Sequence, residues 1–286
     1  MNIKRVYSQK YPKLLKEIND PPQSLFVIGN LPQENELTIA IVGTRKASAL
    51  GLKIAENFAG ELAKLGFTII SGLAMGIDAA AHKGAISAGR TLAVLGNGID
   101  KIYPAQNENL AKRILEADGA IVSEYPPGSP SYKGNFIQRN RIVSGLSLAV
   151  VVIEAPEQSG ALSTAGFAAS QGREVFVVPG PLNHPNYIGS HALIRDGARL
   201  VTSVKDIIDD LGLNKLPLPE DKPQRIPFLL SHQEELIINT MKEYGEPVNI
   251  DKIRELTKLE PQKINQILAF LVIKGLIKEV EGRYAI

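Results

Sequence analysis

Short, almost wholly apolar runs recur along the first two thirds of the chain, and each but the last leads into apolar residues at helical spacing. TIAIVG (38–43) stops at Gly43, after which Ala55, Phe58, Ala59 and Leu62 share one helix face. FTIIS (67–71) precedes a helical stretch from Gly76, TLAVL (91–95) one near Asn107, and LAVVVIE (148–154) one from Gly160; EVFVV (174–178) ends at Pro179-Gly180. Strands apolar on both sides must be covered on both sides, and parallel strands need crossover helices that do so. The predicted fold class is therefore α/β: an extended Rossmann-like, doubly wound, mostly parallel sheet over residues 36–211.

Residues 1–35 are a less regular lead-in, in which Asp20-Pro21-Pro22 signals a turn before LFVIG (25–29), an edge strand or entry segment. Residues 212–227 carry four prolines among charged residues without apolar periodicity, the composition of an interdomain linker. Beyond it, helices are predicted at 235–243, 250–257 and 261–274, followed by LIKEV and RYAI around Glu281-Gly282. Three helices and a closing hairpin make a small C-terminal winged-helix domain over 228–286. Its third helix opens Pro261, Gln262, Lys263, Ile264, Asn265, Gln266, with few donors suited to base edges, and is read as part of an interaction module rather than a sequence reader.

Cysteine is absent, which excludes a disulfide framework, a thiolate zinc site and a cysteine nucleophile. A formal charge of +2 is too small to imply a nucleic-acid partner, so any basic surface must come from local clustering. Residues 1–20 contain no continuous apolar stretch, so neither a secretory signal nor a membrane anchor is expected, and the location expected is cytoplasmic.

Ligands of open parallel sheets sit beyond the carboxyl ends of the strands. Here those ends carry Gly43-Thr44-Arg45, Ser71-Gly72, Gly96-Asn97-Gly98 and Ser159-Gly160. Glycine admits close backbone approach, and free amides at a helix start favour an anion. No P-loop is present, Gly96-x-Gly98 meets Lys101 where a dinucleotide fingerprint needs a third glycine, and no HExxH occurs. No catalytic residue, cofactor or metal is therefore expected. The segment 123–147, SEYPPGSPSYKGNFIQRNRIVSGLS, joins a proline-rich loop to Lys133, Phe136, Arg139, Asn140 and Arg141. Basic groups that follow a phosphate backbone, beside an aromatic face that stacks on a base, are how a single strand is held without sequence readout. Taken separately, Phe136 reads as core and the arginines as partners of structural carboxylates; as a cluster beside a proline-rich loop and four glycine-bearing strand ends, they read as a binding surface.

The ordered motifs GTR (43–45), SGLAMGIDAAAH (71–82), GNGIDKIYP (96–104), SEYPPG (123–128), FIQRNRIVSGLS (136–147), EAPEQSGALSTA (154–165) and VPG (178–180) resemble the DprA/Smf family, as does DPP-x-x-LF at 20–26. The resemblance covers essentially the whole α/β domain. It implies a Rossmann-like domain that binds single-stranded DNA, a homodimer formed through that domain, and loading of RecA recombinase in natural transformation and recombination. It places Arg45, Lys133, Phe136, Arg139 and Arg141 along the DNA groove. The nucleic-acid-binding set expected is thus Gly43, Thr44, Arg45, Ser71, Gly72, Gly96, Asn97, Lys133, Phe136, Arg139, Arg141, Gly160 and Thr164. The chain departs from the family pattern at Thr44, where serine is usual, at Ile137, where proline often follows the phenylalanine, and at His191, often asparagine. It leaves too little room for the helical N-terminal domain of some members. A dimer contact is expected near Ile207, Ile208 and Leu211.

An alternative is a LOG-like nucleotide-processing phosphoribohydrolase, which the sheet, the Arg-Asn-Arg segment and the Gly-Thr loop also resemble. Those enzymes carry a catalytic glutamate just after PGG-x-GT; here Ser159 to Gly166 supply Thr164 but no glutamate. Glu124 and Glu154 follow strands and are read as turn caps or partners of Arg139 and Arg141. Asp78 suits the first turn of its helix, and His82, one turn on, reads as packing. A transcription factor acting through 228–286 leaves the motifs of the larger domain unexplained.

Overall fold

The computed structural model describes residues 2–214, 231–273, 276–280 and 283–285. The chain divides into two units, Met1–Ile226 and Pro227–Ile286. The linker expected at 212–227 lies, beyond its first three residues, outside the described residues.

In the first unit the strands are β1 (Lys4–Tyr7), β2 (Ser24–Ile28), β3 (Thr38–Gly43), β4 (Thr68–Ser71), β5 (Thr91–Leu95), β6 (Ala120–Ser123), β7 (Ala149–Ile153), β8 (Glu174–Val177) and β9 (Arg199–Leu200). The helices between them are α1 (Lys13–Lys16), α2 (Ala49–Lys64), α3 (Ile77–Ile86), α4 (Glu108–Glu116), α5 (Lys133–Gly145), α6 (Gly160–Ser170), α7 (Ile188–Arg195) and α8 (Val204–Asp210). Each of the five apolar runs is a strand. The order across the sheet is β1-β2-β6-β5-β4-β3-β7-β8-β9. From β6 to β9 all neighbours are parallel, whereas β2 is antiparallel to both β1 and β6. LFVIG therefore lies inside the sheet rather than at its edge. The edge itself is β1, where Lys4 and Arg5 make pairing with another chain unfavourable.

The chain runs outward from β3 through β4 and β5, then returns to β7 on the other side of β3. The switch point of this doubly wound sheet thus lies between β3 and β7. Alternate residues of each strand feed opposite cores. Ile39, Ile41, Val151 and Ile153 pack with α2, α3 and α8, while Ala40, Val42, Val150 and Val152 pack with α1, α5 and α6. This is the two-sided burial that makes the strand sequences continuously apolar.

One expectation is overturned here. Ile207 and Ile208 are fully buried on α8 against the core of the α2 face, with Leu211 packed beside them, because α8 closes that face after β9. Ile207 and Ile208 therefore offer no surface to a second copy, and Leu211 only part of its side chain.

The second unit contains α9 (His232–Tyr244), α10 (Ile250–Thr257), α11 (Pro261–Ile273) and the antiparallel pair β10 (Lys278–Val280) and β11 (Arg283–Ala285). Ser231 and Glu234 form a reciprocal capping box at the start of α9, and Gly245 ends it in the left-handed region. On α11 Ile264, Ile267, Leu268 and Leu271 enter the core, leaving Gln262, Lys263, Asn265 and Gln266 exposed.

Candidate nucleic-acid interface

The loops at the carboxyl ends of β3, β4, β5 and β6 converge around the first turns of α5. After β4, Ser71 is buried and its hydroxyl donates to the Ile41 carbonyl oxygen at 2.7 Å, tying β4 to β3. The amides of Gly72 and Ala74 both donate to the Asp78 carboxylate, at 3.1 and 3.4 Å. Asp78 therefore caps the entry into α3 with its own negative charge. Burial raises its pKa, with the charge of Arg139 and the two amides opposing the rise.

Arg139 is 4% exposed, and its Nη1 donates to the carbonyl oxygen of Gly72 at 2.7 Å and to that of Val94. Burial lowers its pKa to about 10, partly offset by Asp78. Arg141, also 4% exposed, donates through Nε to Asp20 at 3.0 Å and through Nη2 to Glu124 at 2.8 Å. This corrects the expectation that both arginines line the groove. Both side chains are buried, one bonded to strand-end carbonyls and the other to two carboxylates, with Arg139 Nε and Arg141 Nη1 left without a partner among the described residues, so neither lines the open surface. Glu124 pairs with Arg141 as a strand-end carboxylate should.

Glu154 has different partners. It is fully buried just after β7 with φ +52°, and its main-chain oxygen accepts from the Thr44 amide at 2.7 Å. Its carboxylate accepts from the amide of Ser48 at 2.9 Å, from the Ser48 hydroxyl, from Asn186 Nδ2 at 2.9 Å and from the Tyr187 hydroxyl at 3.2 Å. Ser48 is the N-cap of α2. At the switch point, where a nucleotide phosphate ordinarily meets a helix N-terminus, this chain places its own carboxylate.

The exposed part of the cluster is smaller. Arg45 reaches over the Phe136 ring, its guanidinium carbon 5.8 Å from the ring centroid. Phe136 is half-buried, lying against Gly96, where an added β-carbon would fall 2.7 Å from its Cδ1. Glycine at 96 is therefore required by this close approach. Tyr103 packs against Phe136, with ring centroids 5.4 Å apart and planes tilted by 42°. Lys133 opens α5 one turn before Phe136, on the same helix face. Arg45, Lys46, Lys101 and Lys133 are all exposed, and none takes part in an ion pair among the described residues.

The remaining expected residues hold this surface in place. Asn97 is buried and its Nδ2 donates to the carbonyls of Gly98 and Lys101, at 3.0 and 2.6 Å, closing its own loop. Gly43 ends β3, and Thr44 is buried with its hydroxyl accepting from the Lys46 amide at 3.2 Å. Gly160 is exposed at the start of α6, whereas Thr164 is buried and donates back to the Gly160 carbonyl at 3.4 Å. The structure brings Arg45, Lys133 and Phe136 to one surface above the buried Gly96, with Ser71, Gly72, Asn97, Arg139 and Arg141 buried on the neighbouring strand ends and on α5, whereas Thr164 is buried on α6 and, among the described residues, bonds only within that helix. Tyr103, which the sequence reading did not single out, joins Phe136 here; the signal available was an aromatic residue in a strand-end loop, inside the GNGIDKIYP motif. Among the described residues there is no group of acidic, histidine or cysteine side chains able to hold a metal, and no helix long and apolar enough to cross a membrane.

Residues 2–212 match the family model described as DNA recombination-mediator protein A. Protein Smf of Escherichia coli K12 is 41% identical over 288 residues, spanning 97% of this chain and 75% of that protein. The crystal structure of DNA processing protein A from Streptococcus pneumoniae superposes with a TM-score of 0.68 at 39% identity, covering 73% of this chain and 75% of the other. DNA processing protein A from Helicobacter pylori, whose structure describes a single-stranded DNA binding mode, gives a TM-score of 0.68 at 30% identity, covering 76% and 98%.

Proposed function

The chain belongs to the DNA recombination-mediator protein A family, and from that membership we propose that it binds single-stranded DNA without sequence specificity and helps load RecA recombinase onto it during natural transformation and recombination. The observation that carries the DNA part is the group of exposed Arg45 and Lys133 and half-buried Phe136 at the strand ends, in which cations that form no ion pair among the described residues flank an aromatic pair. Such a surface follows a phosphate backbone by charge and tolerates any base by stacking. The likeness to the Helicobacter pylori protein supports the same reading. The RecA role rests on the family alone.

We read the chain as a binder rather than a nucleotide hydrolase. The glutamate expected after the Gly-Thr loop of a phosphoribohydrolase is missing, and Glu154 is turned onto the N-terminus of α2, where it repels a nucleotide phosphate. The homodimer is kept as part of the proposal, with its contact sought away from α8; Leu200 on the outer strand β9 is an exposed apolar side chain on the opposite edge from β1. A closed two-fold pairing would join two grooves in one particle.

The deciding experiment titrates single-stranded against double-stranded DNA across a range of salt, with nucleoside monophosphates as competitors and as substrates. Tight, salt-dependent binding of the single strand, unmoved by monophosphates, is expected. Release of free base from a monophosphate would replace this reading with the hydrolase. Faster onset of RecA ATP hydrolysis on single-stranded DNA in the presence of the protein tests the loading step.

A further inference from the structure

We propose that the surface on which a DNA base stacks is the ring of Tyr103, with Phe136 as the ledge that positions it and the seat of Arg45; this rests on the single-strand reading above. Three neighbours already cover Phe136. Gly96 lies against one side of the ring, the Arg45 guanidinium stands over it, and Tyr103 leans on it at 5.4 Å. A base laid flat on the face of Phe136 under Arg45 would have to displace that guanidinium. Tyr103 itself is 46% exposed, and its hydroxyl makes no hydrogen bond among the described residues.

A single exposed aromatic side chain is ordinary. What sets Tyr103 apart is that its backbone is held on both sides while its ring is left open. Before it, Asn97 Nδ2 donates to the Lys101 carbonyl at 2.6 Å, and Gly98 and Gly128 tie the loop to the proline-rich segment through Ser129 and Asp100, at 3.0 and 2.8 Å. After it, Asn107 donates through its amide to the Pro104 carbonyl at 3.0 Å and through Nδ2 to the Leu73 carbonyl at 2.8 Å. A ring on a fixed backbone loses little freedom when a base meets it, which is how a preformed platform gains affinity. Arg45 beside Phe136 and the unpaired Lys101 two residues before Tyr103 supply cations for the flanking phosphates.

The test uses the full chain, a labelled oligothymidylate and an abasic deoxyribose-phosphate oligomer of the same length. Tyr103→Ala is expected to weaken oligothymidylate binding about 5- to 150-fold, the range for loss of one base stack, without changing the salt slope. Binding of the abasic oligomer should stay at the wild-type level, and Tyr103→Phe should behave as wild type with both probes. Wild-type affinity for oligothymidylate in folded Tyr103→Ala, or an equal loss with both probes, overturns the proposal. If wild type binds the single strand and Arg45→Ala flattens the salt slope while Tyr103→Ala is neutral, only the Tyr103 assignment fails. If wild type does not bind the single strand, the single-strand reading and this assignment fail together.

Discussion

The guanidinium of Arg139 occupies the space that a β-carbon at Gly72 would need: that carbon would fall 2.4 Å from Nη1. The pair locks α5 to the end of β4, with Nη1 also bonded to the Val94 carbonyl at the end of β5. Arg139→Ala is expected to cost about 3–5 kcal/mol of folding stability, because it leaves buried carbonyls and the Asp78 carboxylate without their cation. Gly72→Ala should cost about 1–3 kcal/mol through overpacking. Denaturant unfolding of both variants checks this. An Arg139→Ala protein of wild-type stability with weakened DNA binding would return Arg139 to the groove.

Arg45 and Lys133 should behave in the opposite way. Both are exposed and form no ion pair among the described residues, so Arg45→Ala and Lys133→Ala should leave unfolding nearly unchanged. Each should reduce the log-log salt slope of single-strand binding by about 0.7. Unchanged affinity and slope in both variants would remove the groove from this part of the surface.

His82 offers a pH test of the buried layer. Its Nδ1 lies 2.7 Å from the Thr91 hydroxyl, which itself donates to the Ile69 carbonyl, so the imidazole is the donor of that pair. Burial, and then the charge of Arg139, push its pKa from 6.5 down to about 3. The unfolded chain therefore takes up the proton first, and the contribution of His82 is complete above about pH 6.5 and lost as pH falls towards about 3, at about 1.4 kcal/mol per pH unit. Asp78 acts in the other direction, since its raised pKa means that its contribution declines as pH rises above the unfolded value. Comparison with His82→Asn, which keeps a donor towards Thr91, separates the two. The stability difference between wild type and this variant should shrink as pH is lowered from about 7 to about 4, and parallel curves would refute the assignment.

The residues proposed to contact DNA all belong to the first unit. A folded chain ending at residue 225 should retain most of the single-strand affinity of the whole protein, measured by the same titration. Near-complete loss would place an essential contact in the second unit.

The fold was legible because its strands announce themselves. Ile39 to Val42 and Ala149 to Ile153 are apolar at every position, and only a strand covered on both faces has use for that pattern. The polar edge strand β1 and the two-residue β9 lack such runs, while β6, Ala120–Ser123, is fully buried but offers only three apolar residues in a row to mark it. The strand-end loops and the basic-aromatic segment were legible as well, since glycine, arginine and phenylalanine in those places carry a chemistry of their own. What the linear pattern left open was which charges face water. Lys133, Arg139 and Arg141 lie on one helix, and α5 has no clean apolar stripe: Ile137 is exposed while Ile142 and Val143 are buried. Only the docking of α5 over the ends of β4 and β5 decides the matter, because burial demands partners. Arg139 found two carbonyls there, Arg141 found Asp20 and Glu124, and Lys133, at the first position of the helix, stayed exposed to water.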